Sequence, residues 1–356
     1  MKNLVDSPGE VSRIDTSGML DVVKGFPGQI KEALEIRPEP ARMPSADGIN
    51  SVVVLGMGGS GISGDVVGAA CAGSLKVPLV TVKGYHLPDH VGPDTLVFAV
   101  SYSGNTEETL DCFGRASARG ARLVAVTSGG RLAELALEGG VPIYRIPPGF
   151  QPRASLGYLF VPIVSALEQM GAVSGVARGL KEALPMLERR SEEYGPDVPM
   201  EENPAKRLAV GLVNSLPVIY GQEGALAVAA RRWKAQVNEN AKVPAFDNWF
   251  PELNHNETVG WQNHAGICSM CHLVMLRQPE EHPRVSLRVD ITSELISGSV
   301  GHVTQVYARG DTGIERLLDI IYLGDFMSVY LAIELEQDPT PVTRIEKLKR
   351  RLADAG

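Results

Sequence analysis

Residues 51–61 have the sequence SVVVLGMGGSG, and this stretch decides the fold. Its β-branched residues are typical of a short buried strand, and the glycines that follow allow a tight turn into a helix. The same order of strand, loop and helix returns where Thr95–Val100 runs into Ser101-Tyr-Ser-Gly-Asn-Thr106. Further strands are predicted at residues 79–83, 122–127 and 141–146. Alternation of strands and helices predicts a parallel sheet covered by helices on both faces.

The second half of the chain repeats this plan. A strand is predicted at residues 216–220, followed by an alanine-rich helix to about Val237, strands near 267–276, 285–289 and 303–307, and helices near 313–336 and 342–352. The fold class is therefore α/β, with two doubly wound domains, each a mostly parallel sheet flanked by helices. We expect a helical lead-in over 1–45, a first domain over 46–172, a crossover and linker over 173–206, and a second domain over 207–356. The lead-in helix, about residues 10–40, is predicted to end near Pro38 and Pro40.

Composition narrows the functional classes. The 356 residues are 44% hydrophobic and 21% charged, which suffices for two globular cores. The net charge of -8 disfavours nucleic acid as a partner. The first residues lack the pattern of a signal peptide, and no apolar run approaches the roughly 18 residues of a membrane span, so we predict a soluble cytoplasmic protein without membrane contact. Cys268 and Cys271 have metal-binding spacing, but no second ligand pair accompanies them, and no metal site is predicted.

The glycine loop over residues 56–61 has two possible uses. Gly56, Gly58 and Gly61 match the G-x-G-x-x-G pattern of dinucleotide-binding proteins. Such a site also needs an acidic residue at the end of the second strand for the ribose hydroxyls, and Lys83 stands there instead. The sequence therefore disfavours a dinucleotide-dependent oxidoreductase.

The serine loop over residues 101–106 favours a phosphate monoester. Ser101, Ser103 and Thr106 lie where a strand ends and a helix begins, so their hydroxyls can join the free N–H groups of the first helical turn. The alternative is that Thr106 or Asn105 only caps the helix.

Three polar segments contain groups suited to acid–base catalysis, which uses a base, an acid and a cation that stabilises negative charge. Glu239 lies at the end of the alanine-rich helix and could act as a general base. His255 could act as an acid, since imidazole is the side chain that titrates nearest neutral pH. Arg153 could hold an oxyanion as a permanent cation. The alternatives are an exposed helix end for Glu239, a loop histidine satisfied by backbone groups, and an interdomain ion pair for Arg153.

Two motifs, V-L-G-M-G-G-S-G and S-Y-S-G-N-T-E-E-T, resemble the phosphosugar signature of sugar-isomerase (SIS) domains. This resemblance implies that the glycine loop lines the sugar and that the serine loop holds the phosphate. The implied sugar-side residues are Gly58, Gly59 and Ser60, and the implied phosphate-binding residues are Ser101, Ser103 and Thr106.

Four further segments, Q-P-R-A-S-L-G, N-E-N-A-K-V-P, E-L-N-H-N-E and D-P-T-P-V, resemble the bifunctional phosphoglucose/phosphomannose isomerases from about residue 45 to 352. The resemblance implies Glu239 as the base that forms the enediol, Arg153 as the cation, and His255 as a ring-opening group supplied across the interface of a homodimer. It implies no cofactor and no metal.

The family also uses a lysine on the last helix and a threonine in the terminal segment that is associated with use of both glucose and mannose phosphates. Lys349, four residues after Ile345, lies closer than Lys347 to the face that we predict to be buried, defined by Ile345, Leu348 and Leu352. We therefore favour Lys349 over Lys347. Thr340 is the candidate threonine.

Two rivals remain beside the isomerase. A sensor that binds sugar phosphate without turnover would usually carry a basic helix-turn-helix, and none is found in the sequence. A glutamine-dependent sugar amidotransferase would need a glutaminase domain with a nucleophilic cysteine, whereas only a short helix is predicted before the first α/β unit. The sequence therefore favours an isomerase. The resemblance alone implies its sugar-phosphate substrates, glucose 6-phosphate and mannose 6-phosphate with fructose 6-phosphate.

Overall fold

The computed structural model describes residues 3–39 and 42–355. The lead-in contains three short helices rather than the single predicted helix: α1 (Pro8–Ile14), α2 (Met19–Lys24) and α3 (Phe26–Ala33). The carboxylate of Asp15 accepts hydrogen bonds from the N–H groups of Met19 and Leu20, both at 2.8 Å, and so starts α2. Gly18, at φ +70°, lets the chain turn between α1 and α2. The predicted end at Pro40 lies outside the described residues.

The first sheet has five parallel strands in the order β2-β1-β3-β4-β5. The strands are β1 (Ser51–Leu55), β2 (Leu79–Val82), β3 (Thr95–Val100), β4 (Arg122–Thr127) and β5 (Ile143–Arg145). The helices of this half are α4 (Gly58–Cys71), α5 (Glu107–Ala118), α6 (Gly130–Glu138) and α7 (Leu156–Gln169). Every predicted strand of this half is present. Complete burial of β1 and β3 explains their unbroken runs of apolar residues.

The second sheet has four parallel strands in the order β7-β6-β8-β9. They are β6 (Leu216–Gln222), β7 (Phe246–Phe250), β8 (Cys271–Arg277) and β9 (His302–Tyr307). The helices are α8 (Val176–Glu193), α9 (Pro204–Leu212), α10 (Ala225–Gln236), α11 (Glu257–Gly260), α12 (Ala265–Cys268), α13 (Pro283–Ile296), α14 (Gly313–Glu334) and α15 (Thr343–Ala355). Two parallel sheets flanked by helices confirm the predicted fold class.

Two strand predictions in the second half were wrong. Residues 285–289 belong to α13, because Pro283 starts that helix and the ring of His282 accepts from the N–H of Arg284. Residues 267–270 form the end of α12 and a turn, so β8 begins only at Cys271. Strand β7 was not predicted, since only Phe250 among its residues is buried.

The two halves share one hydrophobic core. A single buried cluster extends from Val5 in the lead-in to Ile333 in α14, and each sheet has a smaller cluster on its other face. All residues from 316 to 333 of α14 are buried. Helix α8 belongs to this core as well, although it falls in the predicted linker. No helix within the described ranges is long and apolar enough to cross a membrane. The domain boundaries themselves stay a prediction.

Candidate active site

The predicted loops of the first half meet at one edge of the first sheet. The glycine loop follows β1 and the serine loop follows β3, and these strands are neighbours in a parallel sheet. From β1 the chain first adds β2 on one side and then adds β3 on the other side, so the strand order reverses between β1 and β3. Parallel α/β sheets bind ligands at such a switch point. The carboxyl edge of the first sheet is therefore the candidate site.

The glycine loop approaches the backbone of the Arg153 segment closely. Helix α4 begins at Gly58, which has φ +51°, and no side chain caps its first turn. A Cβ on Gly59 would lie 2.6 Å from the carbonyl carbon and oxygen of Pro152. Ser60 is buried, and its Oγ accepts the N–H of Tyr102 at 3.2 Å. The predicted sugar-side residues thus lie between the serine loop and Arg153.

The serine loop leaves the start of α5 available to an anion. Thr106 occupies the N-cap position, yet its hydroxyl caps no helical N–H and instead lies 2.9 Å from Ser101 Oγ. The side chain of Asn105 accepts from the N–H of Arg131, at the start of the next helix. Neither residue therefore caps α5 as the alternative interpretation required. Ser103 is exposed beside these hydroxyls. The uncapped N–H groups and nearby hydroxyls can bind a phosphate dianion.

A third loop supports the serine loop, and the sequence interpretation missed it. It comprises Thr127-Ser-Gly-Gly130 and begins at the last residue of β4. A Cβ on Gly104 would lie 1.8 Å from the carbonyl oxygen of Gly129, and Ser128 Oγ donates to the carbonyl of Tyr102 at 2.6 Å. A hydroxyl and glycine run at the end of a buried strand was the available signal.

Arg153 of the first half forms side-chain hydrogen bonds to residues of the second half. Its side chain is 3% exposed. Its Nε donates to Asn240 Oδ1 at 2.7 Å, and Nη2 donates to the carbonyls of Pro339 and Thr340 at 2.7 and 2.9 Å. Its Nη1 lies 3.6 Å from Glu239 Oε2. Burial lowers the pKa of Arg153, and the charge of Glu239 opposes that shift.

Glu239 lies in a π-helix, Val237–Ala241, that continues α10. Its side chain is 27% exposed, so the carboxylate faces the site and remains open to a ligand. Helix α10 leads from the carboxyl edge of the second sheet back to the opposite edge, as the connection between parallel β6 and β7 requires. Glu239 therefore meets Arg153 where the carboxyl edge of the first sheet lies near the amino edge of the second.

Thr340 also contacts Arg153. Its carbonyl accepts from Arg153, and its hydroxyl oxygen is buried without a hydrogen-bond partner among the described residues. Lys242 ties the same turn to the π-helix: its Nζ donates to the carbonyls of Asn240 and Pro339, each at 3.0 Å, and of Asp338. Among the described residues, this buried hydroxyl near Arg153 thus lacks the hydrogen-bond partner that buried polar groups normally have.

His255 is not brought to Glu239 within one chain. It is exposed and follows β7, whereas Glu239 precedes β7. The five residues of β7 extend over about 17 Å, so the two side chains lie at opposite edges of the second sheet.

The buried face predicted for the last helix was wrong. In α15 no residue is buried, and Ile345, Leu348 and Leu352 are 42%, 58% and 55% exposed. The apolar stripe exists, but it has no partner within the described part of the chain, so burial does not distinguish Lys349 from Lys347. Both lysines are exposed.

Comparison with known proteins agrees with this geometry. A family model for the SIS domain matches residues 48–137, and one for the bacterial phospho-glucose isomerase C-terminal SIS domain matches residues 201–352. A solved structure of a hypothetical protein from Thermus thermophilus superposes with a TM-score of 0.73 at 17% identity, covering 98% of this chain and 94% of the other. The fold and its paired loops thus define a protein of two SIS domains.

Curated relatives narrow this class. A bifunctional phosphoglucose/phosphomannose isomerase of Caldicellulosiruptor bescii is 43% identical over 336 residues, covering 94% of this chain and 99% of the relative. One of Aquifex aeolicus is 37% identical, covering 85% and 90%. The chain belongs to the bifunctional phosphoglucose/phosphomannose isomerase family.

Proposed function

We propose that the protein interconverts glucose 6-phosphate and mannose 6-phosphate with fructose 6-phosphate through a cis-enediol, without a metal. The observation that carries this proposal is the approach of Arg153 Nη1 to Glu239 Oε2, which lie 3.6 Å apart, with Arg153 on a segment that packs against the glycine loop. A base and a permanent cation are what the reaction requires, and the serine loop offers a helix start for the phosphate.

In the proposed reaction the phosphate binds at the serine loop and the sugar lies toward the glycine loop. Glu239 removes the proton from C2 of the open aldose and returns it to C1, while the hydroxyl proton of O2 moves to O1. Arg153 holds the negative charge that develops on the enediolate oxygens, and its burial strengthens that attraction. Thr340 contacts the substrate near C2, where the glucose and mannose phosphates differ.

We infer that ring opening uses His255 from a second copy, in a homodimer with a shared active site, assisted by Lys349. His255 is exposed at the carboxyl edge of the second sheet. In a dimer, each copy can therefore supply its His255 to the active site of the other copy. The exposed apolar side chains of Leu287, Ile291 and Leu295 on α13, with the stripe on α15, offer surface for such pairing. We further propose that the protein acts in the cytoplasm.

The first test incubates the purified protein with fructose 6-phosphate in EDTA and follows glucose 6-phosphate and mannose 6-phosphate together. Both products should form, and Glu239→Gln should abolish both while still binding the substrate. A fully active Glu239→Gln variant would remove Glu239 from the role of base. Binding without turnover by the wild type would favour the sensor instead.

A second test addresses the shared site. Glu239→Gln and His255→Ala proteins, each inactive alone, are unfolded, mixed and refolded together. Random pairing should restore about a quarter of wild-type activity, because half of the dimers are mixed and each has one intact site. Mass spectrometry verifies that mixed dimers have formed. If they have formed and no activity returns, His255 acts in the site of its own chain or takes no part in the reaction.

A further inference from the structure

The guanidinium of Arg153 is held on two of its three nitrogens. Its Nε and Nη2 carry three N–H groups, and these donate to Asn240 Oδ1 and to the carbonyls of Pro339 and Thr340. Nη1 has no hydrogen-bond acceptor within the described residues and faces Glu239. The two N–H groups of Nη1 are thus the part of Arg153 left for a substrate oxygen.

Asn240 is itself fixed from the other side. It is fully buried, and its Nδ2 donates to Ser328 Oγ at 2.9 Å. Ser328, also fully buried, donates to the carbonyl of Asp325 at 2.8 Å within α14. The amide can therefore present only its oxygen to Arg153, and a side chain from the second half determines the orientation of a guanidinium from the first.

Two successive residues of the π-helix reach one guanidinium. Glu239 approaches Nη1 and Asn240 binds Nε, and both residues lie in the π-helical turn Val237–Ala241. Glu239, the proposed base, and Asn240, which holds the cation Arg153, are therefore adjacent in the chain.

We propose that Asn240 is a positioning residue, which aims Nη1 of Arg153 at the enediolate oxygen. The inference rests on the proposed function, because it assigns the direction in which the proposed cation acts. Asn240 touches no substrate in this account; it acts only through Arg153. Loss of Asn240 leaves the guanidinium held by Nη2 alone, free to rotate about that anchor.

The test measures kcat and KM for fructose 6-phosphate with Asn240→Ala. A misplacement of about 1 Å costs on the order of 100-fold, so kcat should fall about 10- to 100-fold while KM changes less than about threefold. Asn203→Ala is the matched control, since Asn203 is also fully buried and hydrogen bonded, but it caps α9. That control should lower the melting temperature and leave kcat unchanged.

A double-mutant cycle separates positioning from packing. Lysine has no Nε–H that could donate to Asn240, so Asn240→Ala should have no further effect on kcat in an Arg153→Lys background. Additive effects, or a full kcat with a lowered melting temperature, would overturn the proposal. If Asn240→Ala does not fold, Ser328→Ala releases the same amide from α14 and should lower kcat about threefold with the same non-additivity.

Binding of 5-phosphoarabinonate, whose carboxylate mimics the enediolate, gives a readout that needs no turnover. Its affinity should fall with Asn240→Ala by the same factor as kcat, while binding of inorganic phosphate stays unchanged. An unchanged affinity for 5-phosphoarabinonate would refute the positioning role, whatever the wild type turns over. Absence of turnover by the wild type would instead refute the proposed function.

Discussion

Gly59→Ala tests how closely the glycine loop and the Arg153 segment must approach each other. The new Cβ would lie 2.6 Å from two backbone atoms of Pro152 and 2.8 Å from the nitrogen of Arg153. The shortest of these contacts falls about 0.8 Å below the 3.4 Å at which ordinary van der Waals contact begins. Because backbone atoms cannot rotate away as a side chain can, one segment must move by nearly that distance.

Such a shift should cost about 1–3 kcal/mol of unfolding free energy, as overpacking generally does. It also displaces the segment that carries Arg153, and a displacement near 1 Å should lower kcat on the order of 100-fold. A coupled assay of fructose 6-phosphate conversion and urea unfolding measure the two effects. The loss of kcat should exceed what the unfolded fraction explains.

Gly114→Ala is the control for adding a methyl group. Gly114 lies inside α5 with nothing within 4 Å of its would-be Cβ, so alanine should raise stability by up to about 1 kcal/mol and leave kcat alone. A Gly59→Ala variant with wild-type kcat would show that the two loops tolerate separation, and would refute the reasoning from their contact.

Three other predictions concern charged groups. Burial, with the nearby charge of Arg153, lowers the pKa of Lys242 to about 8. Loss of this proton weakens the hydrogen bonds from Nζ to the carbonyls of Asn240 and Pro339, which hold the turn beside Arg153, so kcat should fall as pH rises through 8. Lys242→Arg should remain active to higher pH. Asp325→Ala leaves the buried charge of Arg232 unpaired and should cost about 3–5 kcal/mol in urea unfolding. Lys349→Met should lower kcat in the coupled assay at least about tenfold, whereas Lys347→Met should not.

The sign of the Lys242 effect separates its activity from its stability. The unfolded chain keeps this proton up to its ordinary pKa of 10.5 and so binds more protons than the folded chain above pH 8. The contribution of Lys242 to stability therefore rises with pH, and a falling kcat in that range is not unfolding. A wild-type profile without a decline near pH 8, or an identical decline in Lys242→Arg, would contradict the assignment.

The other two predictions have their own controls. Arg13→Ala removes an exposed ion pair with Glu10 and should change stability by less than about 1 kcal/mol, in contrast to Asp325→Ala. Equal losses from the two variants would show that burial does not govern the cost. Equal activity of the two lysine variants would place neither lysine at the site, and a loss confined to Lys347→Met would reverse the choice made from helical spacing.

The sequence predicted the local parts of the site but not their assembly. Ser51–Leu55 and Thr95–Val100 are buried runs next to loops of glycine and hydroxyl residues, so strand, loop and helix all follow from neighbouring residues. The contact of Arg153 with Asn240 spans 87 positions and that with Thr340 spans 187. Such pairings arise from packing of the two halves, which a periodic pattern does not encode.

The misses have equally local causes. Residues 285–289 alternate as a strand would, yet Pro283 and the buried side chains of Val289, Thr292 and Ile296 make a helix one face of which is covered. Strand β7 is mostly only half covered, so it lacks an apolar run. For α15 the amphipathic pattern was correct, but no described residue covers its apolar face.

Helix α14 couples completion of the site to the folding of both halves. Its residues 316–333 are buried, and it carries Ser328 and the carbonyl of Asp325 that anchor Asn240. A chain in which only one half has folded therefore lacks the contacts that orient the guanidinium of Arg153. We expect such a chain to be far less active than the fully folded molecule, so that specific activity reports the folded fraction of a preparation.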